Sequence, residues 1–352
     1  MKKCKLYSLS ALITLIFAAL LCCMACNNKS PIPEFVGDIA IEWAEPALEA
    51  LIRQELGKPQ GIIYQEELDH IKHIELYGES HLYFNLEGGY YTLKEGKDID
   101  MHISDGRGNV YKDGTYEIEG IEYTRGSVSS LADFANFRNL NGLYVFKNSL
   151  TDLSGLSSLQ NLVDLGLWDC GFQDAGALAS LRQLKLLTLD CNNIEEMSAF
   201  SGFDQIIMLS VAGNNISSLE WLSNFSNVLN LTLNYNPLTS LKGLEMLESL
   251  ENLEALYLIG TQIDDIGLLM GNTSLRTLQM RYQKVDSLDV AQLAAIPSLE
   301  VLTIEQTQAK LENFRSLNEL IFLRELRVTP NLNITEEDIE WLQDQLPHCN
   351  IE

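Results

Sequence analysis

Five histidines, His70, His73, His81, His102 and His348, are the side chains best placed by intrinsic acidity to move protons near neutral pH. His70 and His73 stand one helical turn apart and could share a metal ion, yet the spacing brings no third ligand with it, so surface histidines are expected. No nucleophile elbow, His-Glu-x-x-His pair, phosphate loop or nucleotide-binding glycine pattern follows a strand-like segment. Asp98, Asp100 and Asp105-Gly106-Arg107-Gly108-Asn109 gather as in a calcium loop. Arg107 occupies an inner position, however, and no late glutamate follows, which makes a solvated turn the expectation. Of seven cysteines, Cys4, Cys22, Cys23 and Cys26 crowd the N-terminus, leaving Cys170, Cys191 and Cys349, an odd set without the paired spacing of a structural zinc site. Chemistry by catalytic residue, metal or cofactor is therefore not expected, and the chain reads as a non-enzyme.

The elements around these residues are set by composition and pattern. The chain has 352 residues, 46% of them hydrophobic and 21% charged, enough apolar surface for a packed core and too little charge density for an acidic disordered chain. With 24 Lys and Arg against 49 Asp and Glu, the net charge of −25 is the wrong sign for a protein that neutralises phosphates, so nucleic acid is not an expected partner. Lys2, Lys3 and Lys5 precede a largely apolar run over residues 6 to 21, too short to span a membrane comfortably, followed by Cys22-Cys23-Met24-Ala25-Cys26. Cys23-Met24-Ala25-Cys26 resembles a bacterial lipobox, which implies diacylation of Cys26 and its retention as the mature N-terminus. Cys23 stands where that motif usually has leucine, and Cys23 itself, with Leu20 three residues before it, is the alternative lipid site. Cleavage after residue 25 leaves 21 basic and 49 acidic residues, net −28, so any membrane attachment is expected through the lipid alone.

The rest of the chain repeats itself. Leu140, Leu143, Val145, Asn148 and Leu150 recur as Leu162, Leu165, Leu167, Cys170 and Phe172, then as Leu184, Leu187, Leu189, Asn192 and Ile194. The polar position falls at 148, 170, 192, 214 and 236, a period of 22, and then at 261, 283, 307 and 331; one step backwards reaches Gly126, preceded by Ile118, Ile121 and Tyr123. This pattern resembles the leucine-rich repeat family, in particular its short, internalin-like bacterial class, over residues 118 to 334. The resemblance implies an α/β solenoid: a horseshoe with a parallel concave β-sheet, a 3₁₀ or extended convex side and helical caps at both ends. Leucines two apart share the inner face of a short strand, and the Asn at its end is expected to bond backbone groups of the next coil. Cys170, Thr261, Gln283 and Thr307 replace that Asn without loss of register.

The expected organisation is a lipoprotein signal over 1–25, a linker over 26–44, a helical cap with the first coil over 45–76, an insertion over 77–117, repeats over 118–334 and a closing helical cap over 335–352. Residues 46 to 56 place Ala47, Leu48, Leu51, Ile52 and Leu56 on one helical face before Gly57 and Pro59, and Ile71-x-x-Ile74-x-Leu76 leads into the first coil. Thr335 offers an N-cap to a helix presenting Ile339, Trp341, Leu342 and Leu346. Between them, 82–86, a Gly88-Gly89 turn, 90–93 and 110–116 alternate as a β-hairpin.

What a solenoid offers is a surface, because outward positions on neighbouring strands lie about 4.8 Å apart. The column after the second strand leucine reads Thr124, Phe146, Trp168, Asp190, Ala212, Asn234, Ile259, Arg281, Glu305, Thr329. The column between the leucines reads Glu122, Tyr144, Gly166, Thr188, Ser210, Thr232, Tyr257, Gln279, Thr303, Arg327. Tyr144, Phe146 and Trp168 become neighbours rimmed by Asp164, Asp169 and Asp190, with Tyr257 and Arg281 further along; exposed aromatics of this kind are typical contact anchors. The expected role is recognition of a protein partner at the cell surface through Tyr144, Phe146, Trp168, Asp190, Tyr257 and Arg281. Glycan binding is the alternative, and an active part within 77–117 a more distant one. Lipid attachment is the part of this reading open to direct test: Cys26→Ala is expected to release or mis-sort the protein, and unchanged membrane fractionation with an intact N-terminal peptide by mass spectrometry would refute it.

Overall fold

A computed structural model describes residues 39–78, 124–198, 203–247, 250–305 and 309–352, and the backbone of strands at 81–85, 116–118 and 121–123. The leader with Cys26, the Gly88-Gly89 turn, residues 90–93 and 110–111, His102, the aspartates of 98–109 and Thr307 lie outside the described residues.

Among the described residues the first elements are two helices, α1 (Pro46–Leu56) and α2 (Gln65–Asp69), and an antiparallel pair, β1 (His73–Tyr77) with β2 (His81–Asn85). A separate antiparallel hairpin follows, β3 (Tyr116–Ile118) with β4 (Ile121–Tyr123). The coils then contribute β5 (Gly142–Phe146), β6 (Asp164–Trp168), β7 (Leu186–Thr188), β8 (Met208–Ser210), β9 (Asn230–Thr232), β10 (Ala255–Tyr257) and β11 (Thr277–Gln279). Next come β12 (Ser287–Asp289), helix α3 (Ala291–Ala294), β13 (Val301–Thr303), β14 (Lys310–Glu312) and β15 (Glu325–Arg327); α4 (Glu336–Gln345) and β16 (Asn350–Ile351) close the chain.

One 12-stranded sheet joins them in the order β16-β15-β13-β11-β10-β9-β8-β7-β6-β5-β1-β2, parallel throughout except for β1 with β2. Leu143, Leu165, Leu187, Leu209, Leu231, Leu256, Leu278, Leu302 and Leu326 stand opposite one another from strand to strand, all fully buried, with Ile74 and Ile351 extending the row at its ends. The row is the core. Each leucine is covered by those of the coils on either side, so the core runs along the stack rather than around a centre.

The first coil, expected to run to residue 76, supplies β1, but the separate repeat expected at Gly126 does not form: Ile118, Ile121 and Tyr123 belong to the β3–β4 hairpin, and the strand beside β5 is β1, with Ile74 opposite Leu143 and Leu76 opposite Val145. The insertion therefore splits the coil after its strand. The chain rejoins where Gly78 N–H bonds Phe146 O and Gly126 N–H bonds Lys147 O, 2.9 and 2.8 Å away. Hydrophobic spacing alone cannot distinguish an interrupted coil from an extra one, because Ile118 and Ile121 fall close to the expected register.

The convex side is built from 3₁₀ turns at Ala132–Asn136, Ser154–Ser158, Gly176–Ser180, Glu220–Asn224, Leu244–Met246, Gly267–Leu269 and Phe314–Glu319. A second column initiates them. Ser130, Asp152, Asp174, Ser218, Ser240 and Asp265, each four residues beyond the ladder position, accept the backbone N–H two residues on at 2.7–3.3 Å. These short side chains satisfy a turn's orphan donor. Where the period stretches, Asp289 caps Ala291 in the same way, but the turn is the α-helical α3, and the added residues let β12 pair with β14 as a second parallel sheet.

The polar ladder runs towards the preceding coil, not the next one as expected. Asn192 Nδ2 donates to Leu167 O, Leu189 O and Asp190 O, and its Oδ1 accepts from Cys170 N–H and Gly171 N–H. Asn214 and Asn236 repeat the three donations and accept from Ile194 N–H and Ile216 N–H. At these positions the preceding residue is left-handed, with φ of 57° at Cys191, 64° at Gly213, 53° at Tyr235 and 69° at Gly260, while Asn331 makes the same backward donation, to Ile304 O, after Pro330. Thr261 and Gln283 share the task, Thr261 Oγ1 lying 3.1 Å from Gln283 Oε1. Cys170 Sγ approaches Val145 O at 3.3 Å.

Two buried carboxylates dock the N-terminal cap. Asp133 accepts from the N–H groups of Ala44 and Glu45, while Glu45 accepts from Ser129 N–H, Ser129 Oγ and Ser130 N–H. Burial would raise the Glu45 carboxyl, but the hydrogen bonds outweigh it and hold it below its ordinary range. At the other end Thr335 and Asp338 form a reciprocal capping box, Leu342 and Leu346 cover the last coil, and the Arg315 guanidinium lies 4.9 Å over Trp341. Among the described residues, no helix is long and apolar enough to cross a membrane.

The ladder makes a measurable prediction. Asn214→Ala removes one of two donors from Leu189 O, Val211 O and Ala212 O and leaves the Ile194 N–H without its partner, and is expected to cost about 1–3 kcal/mol by urea denaturation. Hydrogen exchange should quicken first in the coils around residues 189–236; a uniform change along the chain would contradict coil-to-coil stabilisation.

Candidate functional site

The concave face is fixed by the alternation of the strands: with Leu143 and Val145 inward, Tyr144 and Phe146 must face out. Register then sets Tyr77, Phe146 and Trp168 side by side on β1, β5 and β6, and Glu75, Tyr144 and Gly166 beside them. Because β1 supplies the first strand, these columns begin with Tyr77 and Glu75, not with Thr124 and Glu122.

The rings form a stacked row. Phe146 lies between Tyr77, at 4.6 Å and 3° between planes, and Trp168, at 6.0 Å and 38°. Tyr144 stands 6.0 Å from Phe146, nearly coplanar in orientation, and 5.6 Å from the His73 ring. A Cβ at position 166 would come within 2.4 Å of the Tyr144 ring, so Gly166 is required for Tyr144 to lie across β6. From there the Tyr144 hydroxyl donates to Asp164 Oδ1 at 2.6 Å. On β1 the Tyr77 hydroxyl donates to Glu75 Oε2 at 2.7 Å, and His73 Nε2 is 3.1 Å from Glu75 Oε1.

The six residues expected to meet a partner divide into two groups. Tyr144, Phe146 and Tyr257 are half-buried, with surface to offer. Trp168, Asp190 and Arg281 are only 7%, 4% and 7% exposed. Trp168 is packed against Phe146 and hydrogen-bonds the Cys191 side chain. Arg281 is engaged by Glu305 at 2.6 Å and stands 5.2 Å over the Tyr282 ring. Tyr257 sits four strands beyond Trp168, about 19 Å away at the usual strand spacing, so the structure does not gather all six into one patch.

Asp164, Asp169 and Asp190 are not a solvated rim. All three are buried, because curvature and bulky neighbours close over short side chains on a concave sheet. Asp169 pairs with Arg125 at 2.6 Å. Asp190 Oδ1 accepts from Ser210 Oγ at 2.6 Å and Ala212 N–H at 2.8 Å, bridging β7 to the next coil. Burial pushes the carboxyls of Asp164 and Asp190 up to about 6, against the opposing pull of the Tyr144 hydroxyl on the first and of Ser210 and Ala212 on the second. Among the described residues no cluster of His, Cys, Asp and Glu could hold a metal ion. Cys170, Cys191 and Cys349 are free thiols, raised by burial to about 12, 12 and 11, far from thiolate chemistry.

Sequence reasoning missed Tyr77 and Glu75, although Ile71-x-x-Ile74-x-Leu76 carried the signal: taking Ile74 and Leu76 as strand positions assigns both. It also missed Tyr235 and Tyr282, left-handed residues just before the ladder positions, for which Gly213 and Gly260 were the clue. The Tyr235 ring covers Gly260 so closely that a Cβ there would lie 2.5 Å away.

No protein-family model matches the chain, and no curated protein sequence matches it. Solved structures do resemble it. An internalin, inlF, of Listeria monocytogenes superposes with a TM-score of 0.53 at 19% identity, over 88% of this chain and 95% of that one. The TLR13–ssRNA13 complex aligns at 0.49 and 25% identity, over 57% of this chain and 31% of TLR13. A leucine-rich repeat protein of Leptospira interrogans aligns at 0.40 and 18%, over 65% and 76%. The likeness to inlF, together with the long parallel sheet and its 3₁₀ turns, establishes the fold as a leucine-rich repeat solenoid of the internalin kind.

The buried acids make stability depend on pH in a definite direction. A carboxyl raised in the folded state favours folding while protonated, so its contribution is complete below the ordinary value of 3.8 and is lost as pH rises through about 6. Asn234, on the same face, already uses an amide oxygen to accept from Ile259 N–H. Asp190→Asn is therefore expected to be more stable than the parent at pH 7.5, by on the order of 1–3 kcal/mol, and to show a flatter profile between pH 4 and 7 by urea denaturation. Glu45 acts with the opposite sign, its contribution being lost on acidification below the usual glutamate range.

Proposed function

We propose that this chain is a non-enzymatic recognition protein, lipid-anchored at Cys26 outside the cytoplasmic membrane, that binds a protein partner through the concave face of its solenoid. The observation that carries this reading is the aromatic row Tyr77–Phe146–Trp168 with Tyr144, a set of large rings on the outward face of the sheet. Preorganised aromatics lose little entropy on docking and are frequent centres of binding energy. The half-buried Tyr77, Tyr144 and Phe146 make the contact, with Tyr257 a separate point further along; Trp168 packs against Phe146 from the neighbouring strand. Both faces of Phe146 are covered by neighbouring rings, which leaves ring edges outward and disfavours the face-on stacking that sugars use. The non-enzymatic reading rests on side chains already satisfied within the structure: the Glu75 carboxylate is held by His73 and Tyr77, and the thiols are neutral.

The test is capture with the soluble chain from Asn27 onward against surface proteins and a glycan array. Phe146→Ala and Tyr77→Ala are each expected to weaken the captured partner by about 2 kcal/mol, some thirtyfold in Kd, while remaining folded. Trp168→Ala, by contrast, is expected chiefly to lower the unfolding temperature. Unchanged affinity in both Phe146→Ala and Tyr77→Ala would place the contact elsewhere.

A further inference from the structure

The carboxyl groups of Asp164 and Asp190 lie beside the aromatic row, Asp164 at Tyr144 and Asp190 next to Trp168. Asp164, Gly166 and Trp168 alternate on the outward face of β6, and Asp190 follows β7 beside Trp168, its carbonyl accepting from Asp169 N–H at 3.0 Å. Asp164 uses one oxygen to accept from the Tyr144 hydroxyl; its Oδ2 is buried without a hydrogen-bond partner. Asp190 is held only by neutral donors, Ser210 and Ala212. Neither is in an ion pair among the described residues. The charged and titratable groups around them are His73 and Glu75 of β1 and Tyr144 of β5, near Asp164, and Asp169 with its partner Arg125, and the Cys191 thiol, near Asp190.

We propose that the aromatic row takes an uncharged, apolar segment of the partner protein, and that docking draws protons onto Asp164 and Asp190. This inference rests on the recognition face described above and adds the chemistry of what that face accepts. Outward ring edges suit aliphatic and aromatic side chains. Covering the row removes the last water from carboxyls that burial already disfavours as anions, since a buried charge without a counter-charge is costly. The docked state thus binds protons more tightly than the free one, and affinity increases as pH falls through about 6. A cationic segment would reverse that sign, because it would pair with the ionised carboxylates.

The experiment uses the chain from Asn27 to the C-terminus, which includes both caps, with Nile red as an uncharged apolar probe; cooperative unfolding confirms the native state at each pH. Bound-dye emission is expected to rise three- to tenfold between pH 7.5 and 5.0, to be high at both pH values in Asp164→Asn with Asp190→Asn, and to fall at every pH in Phe146→Ala. A flat or inverted profile, a step that persists in the double variant, or emission unaffected by Phe146→Ala overturns the proposal. Partner capture that depends on Phe146 beside a flat dye profile would remove the proton linkage and leave the recognition face standing. A pH step without any captured partner would do the reverse.

Discussion

Each coil of this protein has an apolar side it cannot bury alone, and the rest of the structure follows from covering that side with the next coil. The row from Ile74 through nine leucines to Ile351 is continuous because every strand repeats the same spacing to the same residue type. An apolar row repeated every coil would tolerate sliding by a residue only if inward and outward positions were alike; the period of two makes such a slip expose every leucine. The Asn ladder adds direction to this register, since each amide answers carbonyls of the coil before it and cannot do so out of step.

The exceptions lie where a coil has no ordinary neighbour or no ordinary length. At the N-terminal end α1 replaces a coil, and because a helix cannot continue the leucine row, Glu45 and Asp133 dock it through backbone N–H groups. Near the C-terminus the longer coils use their extra residues to form the β12–β14 sheet, and β16 ends the main sheet with two residues under the cover of α4. The split first coil shows the same tolerance: the insertion between Gly78 and Gly126 adds β2 to the edge of the sheet without disturbing the pairing of β1 with β5.

A scaffold so strictly repeated leaves its open face as the place where residues can vary without affecting the fold. There the row of rings, the glycine under Tyr144 and the two raised carboxyls depart from the small neutral residues, Thr188, Ser210 and Thr232, that line the next strands. Asp164 and Asp190 lower stability near neutral pH, while Asn234 shows that an amide can accept the same kind of backbone bond.

The period of 22, the inward leucines and the Asn positions determined the solenoid and its sheet, and the apolar faces after Glu45 and Thr335 determined the capping helices, because burial of a periodic apolar position depends only on local spacing. The columns of the concave face were legible from the same count, which brought Tyr144, Phe146 and Trp168 together before any coordinates. Tertiary structure alone decided three things. It paired β1 directly with β5 and so removed the separate repeat expected at Gly126, since strand pairing joins residues across an insertion that spacing cannot see. It turned the ladder backwards, since spacing gives the position of each amide but not the coil it faces. It buried Trp168, Asp164, Asp190 and Arg281, since exposure on a curved face depends on the size of the neighbours on adjacent coils, a property that no single repeat contains.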